Sequence, residues 1–180
     1  MSLTAMMLTF ARDRGPLTMN RDQASPEWRR AAADTDLPLP ALARAFEKEV
    51  RRQEDILYGV ALFHEGMSLL CAGQKAVVET HRRQFRNIIR AGKQVCQWAR
   101  TLLEEARKEP RKARLLREFE FLPYQDHPNP DALILRAQIM IETYEQLYPG
   151  RNRHEPLKQE ELLRLMEKAG AKLPDNELWS

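Results

Sequence analysis

The sequence predicts an all-α protein: a helical bundle built on two long antiparallel helices with three or four shorter helices. Three observations predict this fold class. Apolar residues recur at steps of three and four over long stretches. The alternating β-branched pattern that is typical of strands is almost missing. Prolines divide the chain into segments of helical length. With 180 residues, of which 43% are hydrophobic, the chain is large enough to bury a core without disulfides or metals.

Residues 1–36 are predicted to form an N-terminal arm with one short helix. Residues 1–24 have no helical period. Ser25-Pro26-Glu27 is typical of a helix start, with an N-cap, a first-position proline and a first-turn acid, and predicts a helix to about Ala33. The following Leu37-Pro38-Leu39-Pro40 is expected to be a stiff extended connector, because a residue that precedes proline is pushed away from helix.

Residues 37–170 are predicted to form the bundle, and its first long helix spans about 40–72. Gly59 and Gly66 lie seven residues apart inside this helix and therefore on one side of it. Each glycine weakens a helix interior, so the pair predicts a close helix crossing. The apolar positions of this helix are Leu42, Phe46, Val50, Ile56, Leu57, Val60, Phe63, Met67, Leu70 and Cys71.

The second long helix is predicted over about 75–109, and it has the most regular apolar period in the chain. Pro110 should end or kink it, and a short basic helix should follow over about 111–121. The apolar side is formed by Val78, His81, Phe85, Ile88, Gly92, Val95, Ala99, Leu102 and Ala106.

Two shorter helices are predicted in the last third, after a proline-containing loop. Asn129-Pro130-Asp131 should cap a helix that runs to about Tyr148, and Glu155-Pro156 should open a last helix that ends at Gly170. Residues 171–180 are predicted to be a C-terminal tail.

The positive charge of the chain is concentrated in its middle third. Residues 74–117 carry thirteen basic and four acidic side chains, a net charge of +9, although the whole chain has a net charge of only +3. Residues 118–180 carry seven basic and twelve acidic side chains, a net charge of −5. This distribution indicates a polyanion-binding segment, a face that pairs with the acidic third, or a plain solvated surface.

Five cations of the second long helix fall within about 80° of its circumference, at ~100° per residue. These residues, which we call the basic stripe, are Arg82, Arg86, Arg90, Lys93 and Arg100. The stripe is about 27 Å long at ~1.5 Å per residue, and Glu79 is the only acid between Gln74 and Arg100. Arginine forks bind phosphate oxygens in pairs. The candidate nucleic-acid-binding residues are Lys75, Arg82, Arg83, Arg86, Arg90, Lys93, Arg100, Arg107, Arg111 and Arg114.

The pattern therefore predicts a non-catalytic helical subunit that binds an RNA or DNA backbone, within a larger nucleoprotein assembly. Trp98 and Tyr124 are the candidates for base stacking, with packing as the alternative role of both. The second hypothesis is a protein-interaction module (an adaptor, chaperone or inhibitor) that docks the same arginines on an acidic protein. Self-association is also expected, because the sustained apolar period permits a coiled-coil contact.

No catalytic or metal-binding motif is found, so neither an enzyme nor a cofactor is predicted. His64 and His81 could face each other across the helical hairpin, but neither has the Glu three residues earlier that metal sites in bundles use. They are interpreted as hydrogen-bonded core histidines, and a small helical enzyme using both is the remaining alternative.

The expected location is the cytoplasm, without a membrane association. The apolar runs are far shorter than the ~20 residues of a membrane span, and the first ten residues do not resemble a signal peptide. Cys71 and Cys96 both fall on apolar helix faces. They are interpreted as buried thiols, with a disulfide as the alternative.

Overall fold

The computed structural model of the chain describes residues 24–70, 73, 75–121, 124, 127 and 129–170. Within this part, the side chains of residues 75, 77, 78, 80 and 81 are not described. The prediction of an all-α bundle on two long helices is confirmed: α2 and α3 pack together, and no strand occurs among these residues. In chain order the α-helices are α1 (Pro26–Ala33), α2 (Leu39–Leu70), α3 (Lys75–Lys108), α4 (Ala113–Glu118), α5 (Pro130–Leu147) and α6 (Gln159–Gly170).

The chain divides into two compact units, and both long helices pass through each of them. The first unit comprises residues 1–51 and 95–122, and the second comprises residues 52–94 and 123–180. The predicted division into an arm, a bundle and a tail stays a prediction, since residues 1–23 and 171–180 lie outside the described part.

Phe46 lies at the centre of the first unit's core and is fully buried. Its ring centroid is 5.2 Å from that of Trp28, 5.6 Å from that of Phe119 and 5.5 Å from that of Phe121. Edge-on aromatic pairs of this kind stabilise a core beyond the area that they bury. Trp28 belongs to α1, so the short helix of the predicted arm contributes to this core. The remaining buried members are Leu42, Ala43, Val50, Ala99, Leu103, Ala106 and Leu116.

Both ends of α1 are hydrogen-bonded by side chains. The Ser25 hydroxyl accepts a hydrogen bond from the Trp28 N–H at 3.1 Å, as its sequence position predicts. At the other end, the Arg117 guanidinium donates to the carbonyl oxygens of Ala31 at 3.2 Å and Leu37 at 3.1 Å. It also contacts those of Ala32 and Asp34. Arg117 thus satisfies carbonyls that a helix end leaves without intrahelical partners.

Replacement of Arg117 by lysine is expected to lower the free energy of unfolding by about 1–2 kcal/mol. A guanidinium presents a planar fork of donors, whereas an ammonium is a compact charge that cannot reach this set of carbonyls together. Equilibrium urea denaturation measures the difference. Arg114→Lys is the matched control, because Arg114 lies on the same short helix with 79% of its side chain exposed and should change stability by less than about 0.5 kcal/mol. Equal losses in the two variants would contradict this role for Arg117.

The second unit is built from α5 and α6 packed on the C-terminal half of α2, which also contacts the N-terminal half of α3 through Phe63 and Phe85. Gly59 and Gly66 permit this packing: a Cβ on Gly59 would meet the backbone of Ala137 in α5, and one on Gly66 would meet the side chain of Met166 in α6. The close crossing predicted from the two glycines is confirmed. The core of this unit includes Val60, Phe63, Phe85, Ile88, Leu133, Met140, Tyr144, Leu162 and Leu165.

The connection between α5 and α6 is fixed by two arginines. Arg153 bridges Asp55 of α2 and Glu145 of α5, and its guanidinium lies 5.1 Å from the centroid of the Tyr58 ring. Arg151 pairs with Glu161 at 2.8 Å. The hydrogen bond from Arg151, followed by that from a backbone N–H, lowers the pKa of the Glu161 carboxyl. The loop is therefore held by ion pairs as well as by packing.

Three predicted element boundaries in the sequence are wrong. The extended connector is shorter than predicted, because α2 already begins at Leu39 with Pro40 in its first turn, where a missing N–H costs no helical hydrogen bond. The basic helix of 111–121 is a 3₁₀ turn at Pro110–Lys112 followed by α4, which ends at Glu118. The chain then turns so that Phe119 and Phe121 enter the core.

The last helix begins at Gln159, after the predicted opening at Glu155-Pro156. The Glu161 carboxylate accepts a hydrogen bond from the backbone N–H of Lys158 at 2.8 Å. This is the contact that a third-position acid makes with the N-cap residue, and it sets the helix start downstream of the proline.

Candidate nucleic-acid interface

The solvent-facing side of α3 carries most of the predicted site. The apolar period of this helix turns Phe85 and Ile88 into the second unit's core and Ala99 and Leu103 into the first unit's core. A helix that buries one side leaves the opposite side to solvent. Four residues of the basic stripe, Arg86, Arg90, Lys93 and Arg100, are exposed in the folded chain, and Arg82 is half-buried.

Four cations of the second unit form the clearest part of this surface, and we call them the cation row: Arg83, Arg86, Arg90 and Lys93. All four are exposed. Within the described part of the chain, no carboxylate forms a salt bridge with any of them. At ~1.5 Å per residue the row is about 15 Å long, and at ~100° per residue its members share about 80° of the helix circumference.

Arg82 and Lys75 complete the predicted set in the second unit. Arg82 is half-buried and lies 3.6 Å from Glu79, one turn earlier on the same helix. The side chain of Lys75 lies outside the described residues. All four members of the cation row have described side chains and no salt bridge to a described carboxylate, and the nearest acid on the helix is Glu79, one turn before Arg83.

The predicted site residues of the first unit have carboxylates close by. Arg107 pairs with Glu47 of α2 at 3.2 Å, Arg111 pairs with Glu109 at 3.1 Å, and Arg114 lies 3.6 Å from Glu118. These are exposed pairs, which contribute little to stability. They nevertheless reduce the local positive potential that a polyanion would meet.

Arg100 is exposed on the same helix and has an interaction of its own. Its position continues the predicted stripe into the first unit, but it differs from the members of the cation row in having that contact.

The two aromatic residues considered for base stacking are placed in the interior. Tyr124 is fully buried, and Trp98 is half-buried and packs against the first unit's core. The packing alternative therefore describes both residues. Among the described side chains of α3, none of the exposed ones is aromatic.

His64 packs in the second unit, with its ring stacked on that of Phe85 at a centroid distance of 5.0 Å and an interplanar angle of 18°. The side chain of His81 lies outside the described residues, so the predicted approach of the two histidines is not described. No cluster of three or more His, Cys, Asp or Glu residues with metal-binding geometry occurs in the part that the structure describes.

Two buried polar residues of the second unit were missed by sequence reasoning. His127 is buried beside Phe85, and its Nδ1 accepts a hydrogen bond from the Asn129 N–H at 3.0 Å. Arg136 is 4% exposed, with its guanidinium 5.6 Å from the centroid of the Phe63 ring. Burial lowers the pKa of Arg136. The sequence signal for Arg136 was its place on the apolar side of α5, one residue before Ala137.

The comparisons with protein-family models, curated proteins and solved structures give no match. None of the helices in the described part of the chain combines the length and the apolar character that a membrane crossing requires. Cys96 is buried, and Cys71 lies outside the described residues.

Proposed function

We propose that this chain is a non-catalytic helical subunit that binds the backbone of RNA or DNA through the cation row of α3, within a larger nucleoprotein assembly in the cytoplasm. The observation that carries the proposal is four exposed cations in a row of about 15 Å with no salt bridge to any described carboxylate. A solvated helix face usually mixes acids with bases, since opposite charges one turn apart stabilise a helix. This face does not.

Among the described ion pairs, Arg114 with Glu118 joins the basic segment to the acidic last third, and none involves the cation row. Glu145 of α5 pairs with Arg153, and Glu161 of α6 pairs with Arg151, both arginines lying in the connection between these helices. These two carboxylates thus neutralise arginines of the same region. The positive potential of the cation row remains available to a ligand.

An acidic protein partner is the second hypothesis, and the surface of α3 favours it less. Protein interfaces depend on buried aromatic or aliphatic anchors surrounded by a polar rim. The exposed large apolar side chains of the described residues are Leu70, Leu115, Leu135 and Leu163, and none of them lies on α3. A surface of cations and amides without an anchor is better suited to phosphates.

Fluorescence-anisotropy titrations with labelled single-stranded RNA, single-stranded DNA and duplex DNA test the proposal. If the cation row contacts four phosphates of a duplex, the slope of log K against log salt should be about −3.6. Affinity should then fall about 150-fold between 50 and 200 mM salt. No binding to any of the nucleic acids at low salt would contradict the proposal and favour an acidic protein as the partner.

A further inference from the structure

We propose that the ligand of the cation row is a nucleic-acid duplex and not a single strand. This inference rests on the proposed function and narrows it to one class of nucleic acid. Two features of the described residues support it: the burial of the aromatic rings and the placement of the cations on one continuous helix.

Single-strand binding proteins combine a positive groove with aromatic side chains on which successive bases stack. The aromatic rings near the cation row are buried in the protein interior. Phe85 is the aromatic residue of α3 in the second unit, and it is 3% exposed, with its ring against those of Phe63 and His64. Tyr124 of the same unit is fully buried. The described part of this surface therefore offers cations to phosphates but no ring to a base.

Apart from Glu79, one turn before Arg83, the exposed positions among and beside the cations are filled by small or amide side chains. Asn87, Ala91 and Gln94 are all exposed on α3. Amides donate hydrogen bonds to phosphate and sugar oxygens, which are the atoms that proteins contact most often on a duplex. The composition of the surface thus matches the outside of a double helix.

The spacing of the charges favours a duplex for a second reason. The cation row is part of one continuous α-helix, so the attachment points of its four side chains are fixed along about 15 Å and within about 80° of the helix. A duplex strand places one phosphate per 3.4 Å of axis, or about four phosphates over that length, and it is stiff over about 150 base pairs. A single strand must be ordered to match the row, and no stacking offsets that loss of entropy.

Three labelled ligands of about 20 nucleotides test the inference with the full chain: a DNA duplex, oligo(dT), and an abasic strand with the same phosphodiester backbone. We expect the duplex to bind at least about ten-fold more tightly than oligo(dT). We also expect the abasic strand to bind within about five-fold of oligo(dT). Stacking of a base on an aromatic ring would contribute roughly five-fold for each base engaged, so a larger loss would indicate stacking. A smaller duplex preference, or a larger loss on removing the bases, overturns the inference and leaves the proposed function standing.

The double variant Arg86→Gln/Arg90→Gln, measured beside the wild type, tests whether the cation row carries the binding. If the cation row carries the duplex preference, the ratio of duplex affinity to oligo(dT) affinity should fall in this variant to less than half of the wild-type ratio. The reason is that two of the four cations of the row are removed. Undiminished duplex binding by the variant would show that the ligand lies elsewhere on the chain, and both the inference and the proposed function would then be wrong.

Discussion

Reversing the charge of Arg86 and Arg90 to glutamate is expected to weaken duplex binding by about 30-fold or more at low salt, or ~2 kcal/mol. Two of the four cations are lost and two like charges are placed against the phosphates. The salt slope should also fall, from about −3.6 to about −1.8, because each lost phosphate contact removes ~0.9. Both side chains are exposed, so the fold should be retained, with a helix cost of only about 0.2–0.5 kcal/mol for the new Glu–Glu pair one turn apart.

The matched control for this experiment is Arg111→Glu/Arg114→Glu. It makes the same change in net charge at two arginines whose side chains are 84% and 79% exposed, each beside a carboxylate in the first unit. We expect its affinity to stay within about three-fold of the wild type. If the control lost as much affinity as the test variant, binding would depend on total charge, and the assignment to α3 would be contradicted. Circular dichroism melting curves establish that both variants are folded.

Most of the fold could be predicted because its signals are local in the sequence. Ser25 and Asn129 are N-caps in the structure as their positions predict, with side chains that accept from Trp28 and Ala132. The apolar periods of the helices likewise identified most of the buried positions, although Leu70, at the end of α2, is exposed. Cap preferences and helical periodicity depend on residues within one or two turns, so a single sequence contains them.

The wrong boundaries depend on distant contacts. Local pattern alone extends α4 through Phe119 and Phe121. In the folded chain both rings leave the helix to meet Phe46, which lies more than 70 residues earlier. The role of Arg117 is a similar case, since its carbonyl partners lie 80 or more residues away. At Phe119 and Phe121, burial of the aromatic rings outweighed helix propensity.

For the candidate site, too, local features could be predicted from the sequence and features that depend on distant contacts could not. Periodicity predicts that the cations of α3 face solvent, and the structure places the cation row there. Periodicity does not predict which of the cations have acidic neighbours. The partner of Arg107 is Glu47, 60 residues away on α2. The positions of Trp98 and Tyr124 also depend on tertiary packing, which is why their exposure could not be decided from the sequence.

The second large effect is expected on stability, for Gly59→Ala in α2. A Cβ at this position would lie 2.8 Å from the carbonyl carbon and 2.9 Å from the Cα of Ala137. Real Cβ atoms do not approach other atoms so closely, so α5 would have to move as a whole. Alanine gains up to ~1 kcal/mol of helix propensity, but overpacking costs about 1–3 kcal/mol and occasionally more. The obstacle here is backbone, so we expect the free energy of unfolding to fall by about 3 kcal/mol, measured by urea denaturation.

Alanine substitutions at two other glycines provide the comparison for the predicted loss of stability. In Gly66→Ala, the added Cβ would meet the side chain of Met166, which is flexible and can turn aside. We therefore expect a smaller loss in the free energy of unfolding, about 1 kcal/mol. Gly170→Ala meets nothing within 4 Å and should be neutral or slightly stabilising. The order of the three losses reports what each glycine contacts. A Gly59→Ala variant as stable as Gly170→Ala would mean that α2 and α5 do not cross closely at Gly59, and that the seven-residue glycine spacing has another cause.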